Sequence, residues 1–216
     1  MTGTAPVDRR QRRRQQTIEQ VLDVAVEVMA DQGVAGLTLG EVARRMGIRP
    51  PSLYVYFDGK NALYDALFER GWRELLAVLH AARDLHGSQP PDVAFATVSE
   101  IFVRWAVEHP AYAPLMFWRP VPGFTPSQPA YGPAIEVRGM ALNFLSDMQR
   151  DGALRDDVDL DQAYRTWTTA TSGVMTQQLA NAPGEPFATG TFTSTLPDVV
   201  AMWLAHYGGR RDRMSD

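Results

Sequence analysis

The chain has 216 residues, 45% of them hydrophobic, and it contains no cysteine. This length allows one large or two modest domains, and the lack of cysteine excludes disulfides, Cys-metal sites and thiol chemistry. No apolar run approaches the length of a membrane span, and the N-terminus lacks a signal-peptide pattern, so we expect a soluble, cytoplasmic protein without membrane contact.

The net charge of -4 argues against a nucleic-acid-binding protein, but the charge is unevenly distributed. The first 60 residues hold nine Lys and Arg against seven Asp and Glu, and the remainder holds twelve against eighteen. The basic end begins with a run of arginines, Arg9, Arg10, Arg12, Arg13 and Arg14. Such a run is often a solvated tail. Beside a DNA-binding element it is an arm that follows phosphates or enters a minor groove.

The first predicted helix has a 3.6-residue apolar stripe and ends at Gly33; the stripe comprises Ile18, Val21, Leu22, Ala25, Val28 and Met29. Thr38 and Glu41 have the spacing of a capping box, which predicts a second helix starting near Leu39. Gly47 is the natural stop of that helix. We therefore expect a flexible arm over residues 1–13 and two helices after it.

A third short helix is predicted from Pro50 and Pro51, which suit a first helical turn because neither needs a backbone donor there. Leu53 and Phe57, four residues apart, are expected to pack inward, with Tyr54 pointing outward. Two short helices joined by a turn with Gly are typical of a helix-turn-helix, whose second helix enters the major groove. The alternative is an ordinary helical corner whose aromatic residues belong to the core.

The rest of the chain predicts further helices and no strands. A fourth helix runs from Lys60 to about Leu85 with apolar residues on two faces, which predicts two packing neighbours. Later helices are expected over about 92–109, 112–118, 134–150 and 160–181, with a last one near Pro197 to Tyr207. Residues 119–133, rich in Pro and Gly, should be irregular. We expect an all-α protein of about nine helices.

Two basic residues are candidates for DNA contact. Lys60 is the only lysine and opens the fourth helix, where its ammonium and free N–H groups can meet a phosphate; the alternative is an exposed surface lysine. Arg49 can bond guanine O6 and N7 together, whereas Pro50 and Pro51 offer only apolar contact, for instance with a thymine methyl. The sequence therefore predicts that Arg49 discriminates between bases.

Large apolar side chains in the second half of the chain suggest a ligand pocket. Stripes of this kind are usually core, and the alternative is a concave apolar site with a few polar groups such as Thr171, Ser172 and Gln177. The candidates for its lining are Phe102, Trp105, Tyr112, Met116, Phe117, Phe124, Tyr131, Phe144, Met148, Trp167, Thr171 and Met175.

Patterns for catalysis and metal binding are weak. Asp157, Asp159 and Asp161 have the opening spacing of a calcium loop, but Gln162 and Thr168 stand where it needs Gly and Glu. A helix start with solvated acids is the preferred interpretation. The four histidines have no metal-ligand spacing, and no nucleophile-elbow or phosphate-loop pattern occurs. We expect no metal, no cofactor and no enzymatic activity.

From about Arg14 to Leu75 the chain resembles the N-terminal domain of TetR-family transcriptional regulators. The matching pieces, in order, are ADQGVAGLTL, GEVARRMGI, PSLYVYF and DGKNALYDAL. The pieces HPAYAPLMF and RPVPGF resemble effector domains of that family more loosely. The run from Arg49 to Pro51 departs from the family's usual small or hydroxyl residues, and Val55 and Tyr56 replace its commoner aromatic-His pair. These departures concern the operator sequence rather than DNA binding itself.

The resemblance implies roles for individual residues. Thr38 and Tyr56 would touch phosphate or sugar, with Arg12, Arg13 and Arg14 as arm contacts. Base edges would be faced by Arg49, Pro50, Pro51, Ser52 and Tyr54. The last two helices would pair across a dyad. Our candidates for that seam are Val199, Met202, Trp203 and His206, and the alternative is that these residues belong to the core of one chain.

The same resemblance implies a domain order and a function. Residues 14–59 would form the DNA-binding domain, 60–85 a connecting helix, and 86–216 an effector-binding and dimerisation domain. The expected function is a repressor that binds a palindromic operator as a homodimer and is released by a small, mainly apolar or aromatic effector. Alternatives are an activator or architectural DNA binder with the same fold, or a helical small-molecule binding protein or enzyme without DNA function.

Overall fold

The computed structural model describes residues 6–86 and 89–209. Within these two stretches the predicted all-α class is confirmed, with no β-strand assigned. None of the helices in this part combines the length and apolar character needed to cross a bilayer. The α-helices are α1 (Pro6–Gly36), α2 (Leu39–Arg45), α3 (Lys60–His86), α4 (Pro91–Glu108), α5 (Ala113–Phe117), α6 (Gln128–Arg150), α7 (Leu160–Asn181) and α8 (Leu196–Tyr207).

The first helix begins earlier than the sequence suggested. Residues 1–5 of the expected flexible arm lie outside the described residues, but α1 already begins at Pro6. Proline is favoured in a first helical turn, and Arg and Gln are good helix formers, so this stretch needs no apolar face to be helical. Gly33, with φ 71°, interrupts the helix at the expected stop, and one more turn follows it.

The expected third α-helix is a shorter structure. Pro50–Ser52 form a single 3-10 turn, and residues 53–56 continue as hydrogen-bonded turns. Because neither proline has an N–H, the first internal bonds come from Ser52 N to Arg49 O (2.9 Å) and Leu53 N to Pro50 O (3.0 Å). The described residues therefore contain eight α-helices rather than about nine.

Helix α6 begins at Gln128, six residues before the expected start at Ala134. The hydroxyl of Ser127 accepts a bond from the N–H of Ala130 (3.3 Å), which caps the new helix. Pro129 lies in the first turn, where its missing N–H costs nothing. The prediction of an irregular segment through residue 133 was therefore wrong in its second half.

The described chain forms two compact units. The first comprises Met1–Gly71 and Ala111–Tyr131, and the second comprises Trp72–Pro110 and Gly132–Asp216. Helix α3 contributes to both, because the division falls after Gly71. These boundaries differ from those expected near residues 59 and 85. The fully buried side chains of the first unit include Val21, Val28, Leu37, Leu53, Leu63, Tyr64 and Leu67.

Candidate nucleic-acid interface

Helix α2 has a capped N-terminus at the predicted residue. The Thr38 hydroxyl accepts a bond from the N–H of Glu41 (3.1 Å). The Glu41 carboxylate is engaged on the helix surface, where it accepts bonds from Arg44 Nε and Nη2 (2.8 and 2.7 Å) and Arg45 Nε (3.0 Å). Bonds from Arg44, then from Arg45, lower the pKa of Glu41 from its ordinary 4.5 to about 2. An ionised Glu41 therefore fixes both guanidiniums at neutral pH.

The C-terminus of α2 ends at the predicted glycine. Gly47 has φ 68°, and its N–H donates to Arg44 O at 3.2 Å. The N–H of Ile48 donates to Ala43 O at 3.0 Å. These two bonds form a Schellman motif, which requires the left-handed conformation that glycine adopts without strain. The chain is thereby turned toward residue 49 in one defined direction.

Residues 49–57, here called the reading segment, are anchored by two apolar side chains and exposed elsewhere. Leu53 is 0% and Phe57 5% exposed, which confirms the predicted inward pair. Tyr54 is 55% exposed and Val55 73%. The other base-edge candidates are also exposed, namely Arg49, Pro50, Pro51 and Ser52.

Val55 was missing from the sequence-based candidates, although it is the most exposed large apolar residue of the reading segment. The buried pair Leu53 and Phe57 could have identified it. Once two residues four positions apart point inward, the residue midway between them, here Val55, faces away from the core.

Tyr56 is half-buried and interacts with α1. The guanidinium carbon of Arg14 lies 5.6 Å from the centre of the Tyr56 ring, within cation–π range. Arg12 and Arg13 are exposed on the same helix. The three arginines expected on a flexible arm thus lie on a helix, and one of them touches the reading segment.

Lys60 opens α3 and is tied to the end of α1. Its Nζ donates to Ala35 O (3.2 Å) and lies 5.2 Å from the centre of the Tyr64 ring. The Tyr64 hydroxyl donates to Val34 O (2.7 Å). Since an ammonium has three donors, the bond to Ala35 leaves others for a phosphate.

Residues 111–131, here called the coupling segment, belong to the same unit as the reading segment. The N–H and hydroxyl of Ser127 both donate to the Asp65 carboxylate, at 2.7 and 2.5 Å. The ring of Phe124 lies 5.4 Å from that of Tyr64. Asp65 and Ser127 are 62 positions apart, so no local pattern predicts this contact.

The coupling segment also approaches α3 closely at Gly71. A Cβ at this glycine would lie 2.6 Å from Met116 Sδ and 2.9 Å from Tyr112 Cδ1. Contacts this short are not tolerated, so any larger residue at position 71 would force the side chains of Met116 and Tyr112 to shift. The first half of α3 is therefore held against residues 111–131 by both polar and steric contacts.

The predicted ligand residues are divided between the two units. Tyr112, Met116, Phe117, Phe124 and Tyr131 lie in the first unit, and the second contains Phe102, Trp105, Phe144, Met148, Trp167, Thr171 and Met175.

In the second unit the polar groups of this cluster bond to one another. The Phe102 and Trp167 rings are 5.0 Å apart, and Trp167 Nε1 donates to the buried Ser99 hydroxyl (2.9 Å). The Thr171 hydroxyl donates to Trp167 O (2.9 Å), so it is engaged within its own helix. Met148 and Met175 are fully buried. The Trp167 indole N–H and the Thr171 hydroxyl are therefore both engaged within the protein.

One dimer candidate belongs to the interior of the second unit. Trp203 is 4% exposed, its Nε1 donates to Ala163 O (3.0 Å), and its ring stacks on Phe95 at 4.2 Å. A tryptophan satisfied in this way belongs to the interior of the unit, which is the alternative that the sequence left open for it. Val199 is half-buried, whereas Met202 is 64% exposed and His206 is exposed.

The acidic run before α7 is a helix start, as the sequence favoured. Asp159 Oδ1 accepts a bond from the N–H of Gln162 (3.0 Å). Asp157 and Asp161 pair with arginines, at 3.2 and 2.6 Å respectively. Each carboxylate is therefore engaged within the protein.

Comparison with known proteins agrees with this arrangement. A family model described as bacterial regulatory proteins, tetR family, matches residues 21–67, a stretch that includes α2 and the whole reading segment. The HTH-type transcriptional regulator Rv1816 of Mycobacterium tuberculosis is 28% identical over 163 residues, covering 73% of this chain and 69% of that protein.

Two solved structures share the fold. The TetR family transcriptional regulator PfmR of Thermus thermophilus has a TM-score of 0.68 at 16% identity, covering 86% of this chain and 97% of that one. The transcriptional regulator FadR of Bacillus subtilis, in complex with stearoyl-CoA, has a TM-score of 0.67 at 15% identity, covering 87% and 97%. Fold and reading segment together define a helix-turn-helix transcriptional regulator. Within that class, residues 21–67 match the TetR family, and the chain shares the fold of a TetR family regulator over most of its length.

Proposed function

We propose that this regulator is a repressor that binds a palindromic operator as a homodimer and is released by a small, mainly apolar or aromatic effector. The observation that carries the proposal is the reading segment, in which a rigid turn anchored by Leu53 and Phe57 exposes Arg49, Ser52 and Tyr54. A surface this exposed on so short a turn is suited to enter a major groove.

The contacts to the DNA backbone would come from around this segment. Thr38 lies at the N-terminus of α2 and Lys60 at that of α3, where free N–H groups favour a phosphate. Tyr56 would touch phosphate or sugar while the Arg14 guanidinium holds its ring. Arg12 and Arg13 would follow the phosphates from a helix rather than from a flexible arm. These contacts position the protein, and the reading segment selects the sequence.

A homodimer is proposed because one reading segment contacts too few base pairs, whereas two related by a dyad read half-sites about one helical turn apart. Met202 is 64% exposed on α8 between the exposed small residues Ala201 and Ala205. On α7, Gly173 is also exposed. We propose that these faces of α7 and α8 meet their counterparts, with Val199 and His206 at the edge.

The effector is proposed to be mainly apolar because the polar groups of the aromatic cluster in the second unit are already bonded to one another. The FadR neighbour binds stearoyl-CoA, which carries a long apolar chain. For this chain we propose a ligand of apolar or aromatic character among the cluster around Phe102 and Trp167.

Release would act through α3 and the coupling segment. Each is joined along the chain to residues of the second unit. Each also makes contacts within the first unit, where Asp65 binds Ser127 and Tyr64 binds Val34 O. An effector shifts operator binding only by its differential affinity for two arrangements, typically about 1–3 kcal/mol. A dimer on an operator excludes polymerase sterically, so repression needs no further partner. Its DNA partner implies a cytoplasmic location.

The proposal is tested by selecting bound sequences from random DNA with the purified full chain and sizing the complexes by analytical ultracentrifugation. The expected result is an inverted repeat with half-sites about one helical turn apart, occupied by an even number of chains. Selection of no sequence over background would overturn DNA recognition. A single half-site occupied by one chain would overturn the dimer and leave DNA recognition in place.

A further inference from the structure

The exposed surface of the reading segment is mostly hydrocarbon. Pro50 and Pro51 are exposed, Tyr54 is 55% exposed and Val55 73%. The two prolines lack a side-chain donor and a backbone N–H. Among the exposed side chains of this stretch, the groups that can bond a base edge are the Arg49 guanidinium and the hydroxyls of Ser52 and Tyr54. The hydrogen-bonding capacity of the segment is therefore small for a surface of this size.

Scattered exposed apolar residues are normal on protein surfaces. This set differs because its members are adjacent on one turn, and the buried Leu53 and Phe57 fix the direction of their side chains. Arg49 precedes the set and Lys60 follows it, so cations flank the apolar surface. That combination suits a partner whose negatively charged phosphates lie on either side of exposed apolar groups.

Among the base-pair edges in the major groove, one group is apolar, the C5-methyl of thymine. A proline or valine that meets this methyl removes hydrocarbon from water on both sides. A proline that meets a guanine or cytosine edge instead covers polar atoms without bonding them, which is unfavourable. The surface therefore discriminates between bases even without hydrogen bonds.

We propose that Pro50, Pro51 and Val55 recognise thymine methyl groups, so that each operator half-site contains one or two thymines next to the guanine bound by Arg49. This inference rests on the proposed function and specifies its DNA target. It makes Val55 a specificity-determining residue of the reading segment.

The test uses the operator obtained by selection and replaces its thymines by deoxyuridine one at a time. This change removes only the C5-methyl and keeps the hydrogen-bonding edge. Burial of one methyl is worth about fourfold in affinity. The expected result is one or two positions per half-site at which the Kd rises about fourfold, with the other positions unchanged.

A variant then assigns the methyl to its protein partner. Val55→Ala is expected to bind the thymine and deoxyuridine operators with Kd values that differ by less than about twofold at one of the sensitive positions, because the coupled contact is gone. Val78→Ala is the matched control, since Val78 is an exposed valine (40%) on α3 outside the reading segment, and it should keep the fourfold difference. Unchanged thermal unfolding of both variants checks that they fold.

Tight binding to an operator in which every thymine tolerates deoxyuridine, or to half-sites without thymine, would overturn the inference and leave the proposed function intact. A deoxyuridine effect that persists unchanged in Val55→Ala would remove Val55 from methyl recognition. If no sequence is selected at all, the proposed function and this inference fall together.

Discussion

Two connections between helices have similar compositions but differ in where their polar groups lie. The reading segment joins α2 to α3 through two prolines and a 3-10 turn, and residues 182–195 join α7 to α8 through two prolines and two 3-10 turns. In the reading segment Leu53 and Phe57 point inward, and Arg49 and Ser52 are exposed. In the second connection, backbone groups bond to a buried polar side chain of α7.

Gln178, near the end of α7, is the side chain that holds that second connection in place. It is 1% exposed, its Oε1 accepts bonds from Phe192 N (2.9 Å) and Thr193 N (3.1 Å), and its Nε2 donates to Ala182 O (2.7 Å). The backbone N–H of Thr191 donates to Glu185 and lowers the pKa of that carboxyl. Polar groups satisfied inside the protein hold a loop in place. Polar groups left outside, on a turn fixed by apolar anchors, are available to a partner.

The largest expected effect is on the stability of the second connection. Gln178→Leu leaves two N–H groups and one carbonyl, buried or partly buried, without their Gln178 partner. A fully buried group left without a partner costs about 1–3 kcal/mol. The free energy of unfolding in urea should fall by roughly 3 kcal/mol. Gln177→Leu, at the neighbouring exposed position, should change it by less than about 0.5 kcal/mol. Equal effects of the two substitutions would contradict the stabilising role of the hydrogen bonds that Gln178 makes.

Arg49→Ala should affect recognition without affecting stability. A bidentate contact to guanine is worth about 1–3 kcal/mol against a wrong base. Selection with the variant should therefore lose the preference at one guanine per half-site, while the urea midpoint stays at the wild-type value. A selected sequence identical to that of the wild type would show that Arg49 does not read a base.

Asp65→Ala tests whether the coupling segment reaches the DNA-binding helices. Loss of its two bonds to Ser127 should destabilise this contact by about 1 kcal/mol. Hydrogen exchange of the Ser127 amide should accelerate, and so should that of Leu37, whose N–H donates to Val34 O. Acceleration confined to residues near 127 would mean that this contact is not coupled to Leu37, in the connection between α1 and α2.

Lys60→Met should weaken binding to all sequences alike. Loss of one phosphate contact lowers the slope of log affinity against log salt by about one unit, and Lys60→Arg should retain most of it. Anisotropy titrations on operator and scrambled DNA measure both quantities. Wild-type binding by the methionine variant at low and high salt would remove Lys60 from the phosphate contacts.

The smallest effect concerns pH. The pKa of Glu41 is about 2 in the folded protein against an ordinary 4.5, so its contribution to stability is complete above about 4.5 and is lost as the pH falls toward 2. The difference in unfolding free energy between wild type and Glu41→Gln should therefore shrink over that window. A difference that stays constant from neutral pH down to the acid limit would contradict the role of the Arg44 and Arg45 bonds.

Much of the fold was predictable because helix ends are determined locally. Thr38, Gly47 and Asp159 each cap or stop a helix through bonds to residues at most a few positions away. The start of α6 was missed because its cap, Ser127, is held by Asp65 from a distant part of the chain. For a related reason, an apolar stripe does not reveal whether Trp203 packs on Phe95 of the same chain, as it does here, or on a second chain.

The reading segment was predictable in outline, because two prolines and the Leu53–Phe57 spacing define its inner and outer sides. Its helix type was not predicted: a short helix was expected, whereas Pro50–Ser52 form a 3-10 turn. The exposure of Val55 and the engagement of Lys60 with Ala35 O likewise follow from tertiary packing.

The central claim is that residues 49–57 recognise DNA. Its most direct test compares the wild type with the double variant Arg49→Ala, Tyr54→Ala by measuring the Kd for the selected operator and for scrambled DNA at one salt concentration. The wild type should prefer the operator by about 10³-fold or more, and the double variant by less than about tenfold, with unchanged thermal unfolding. Equal preference in the two proteins would contradict the account, because recognition would then lie outside the reading segment.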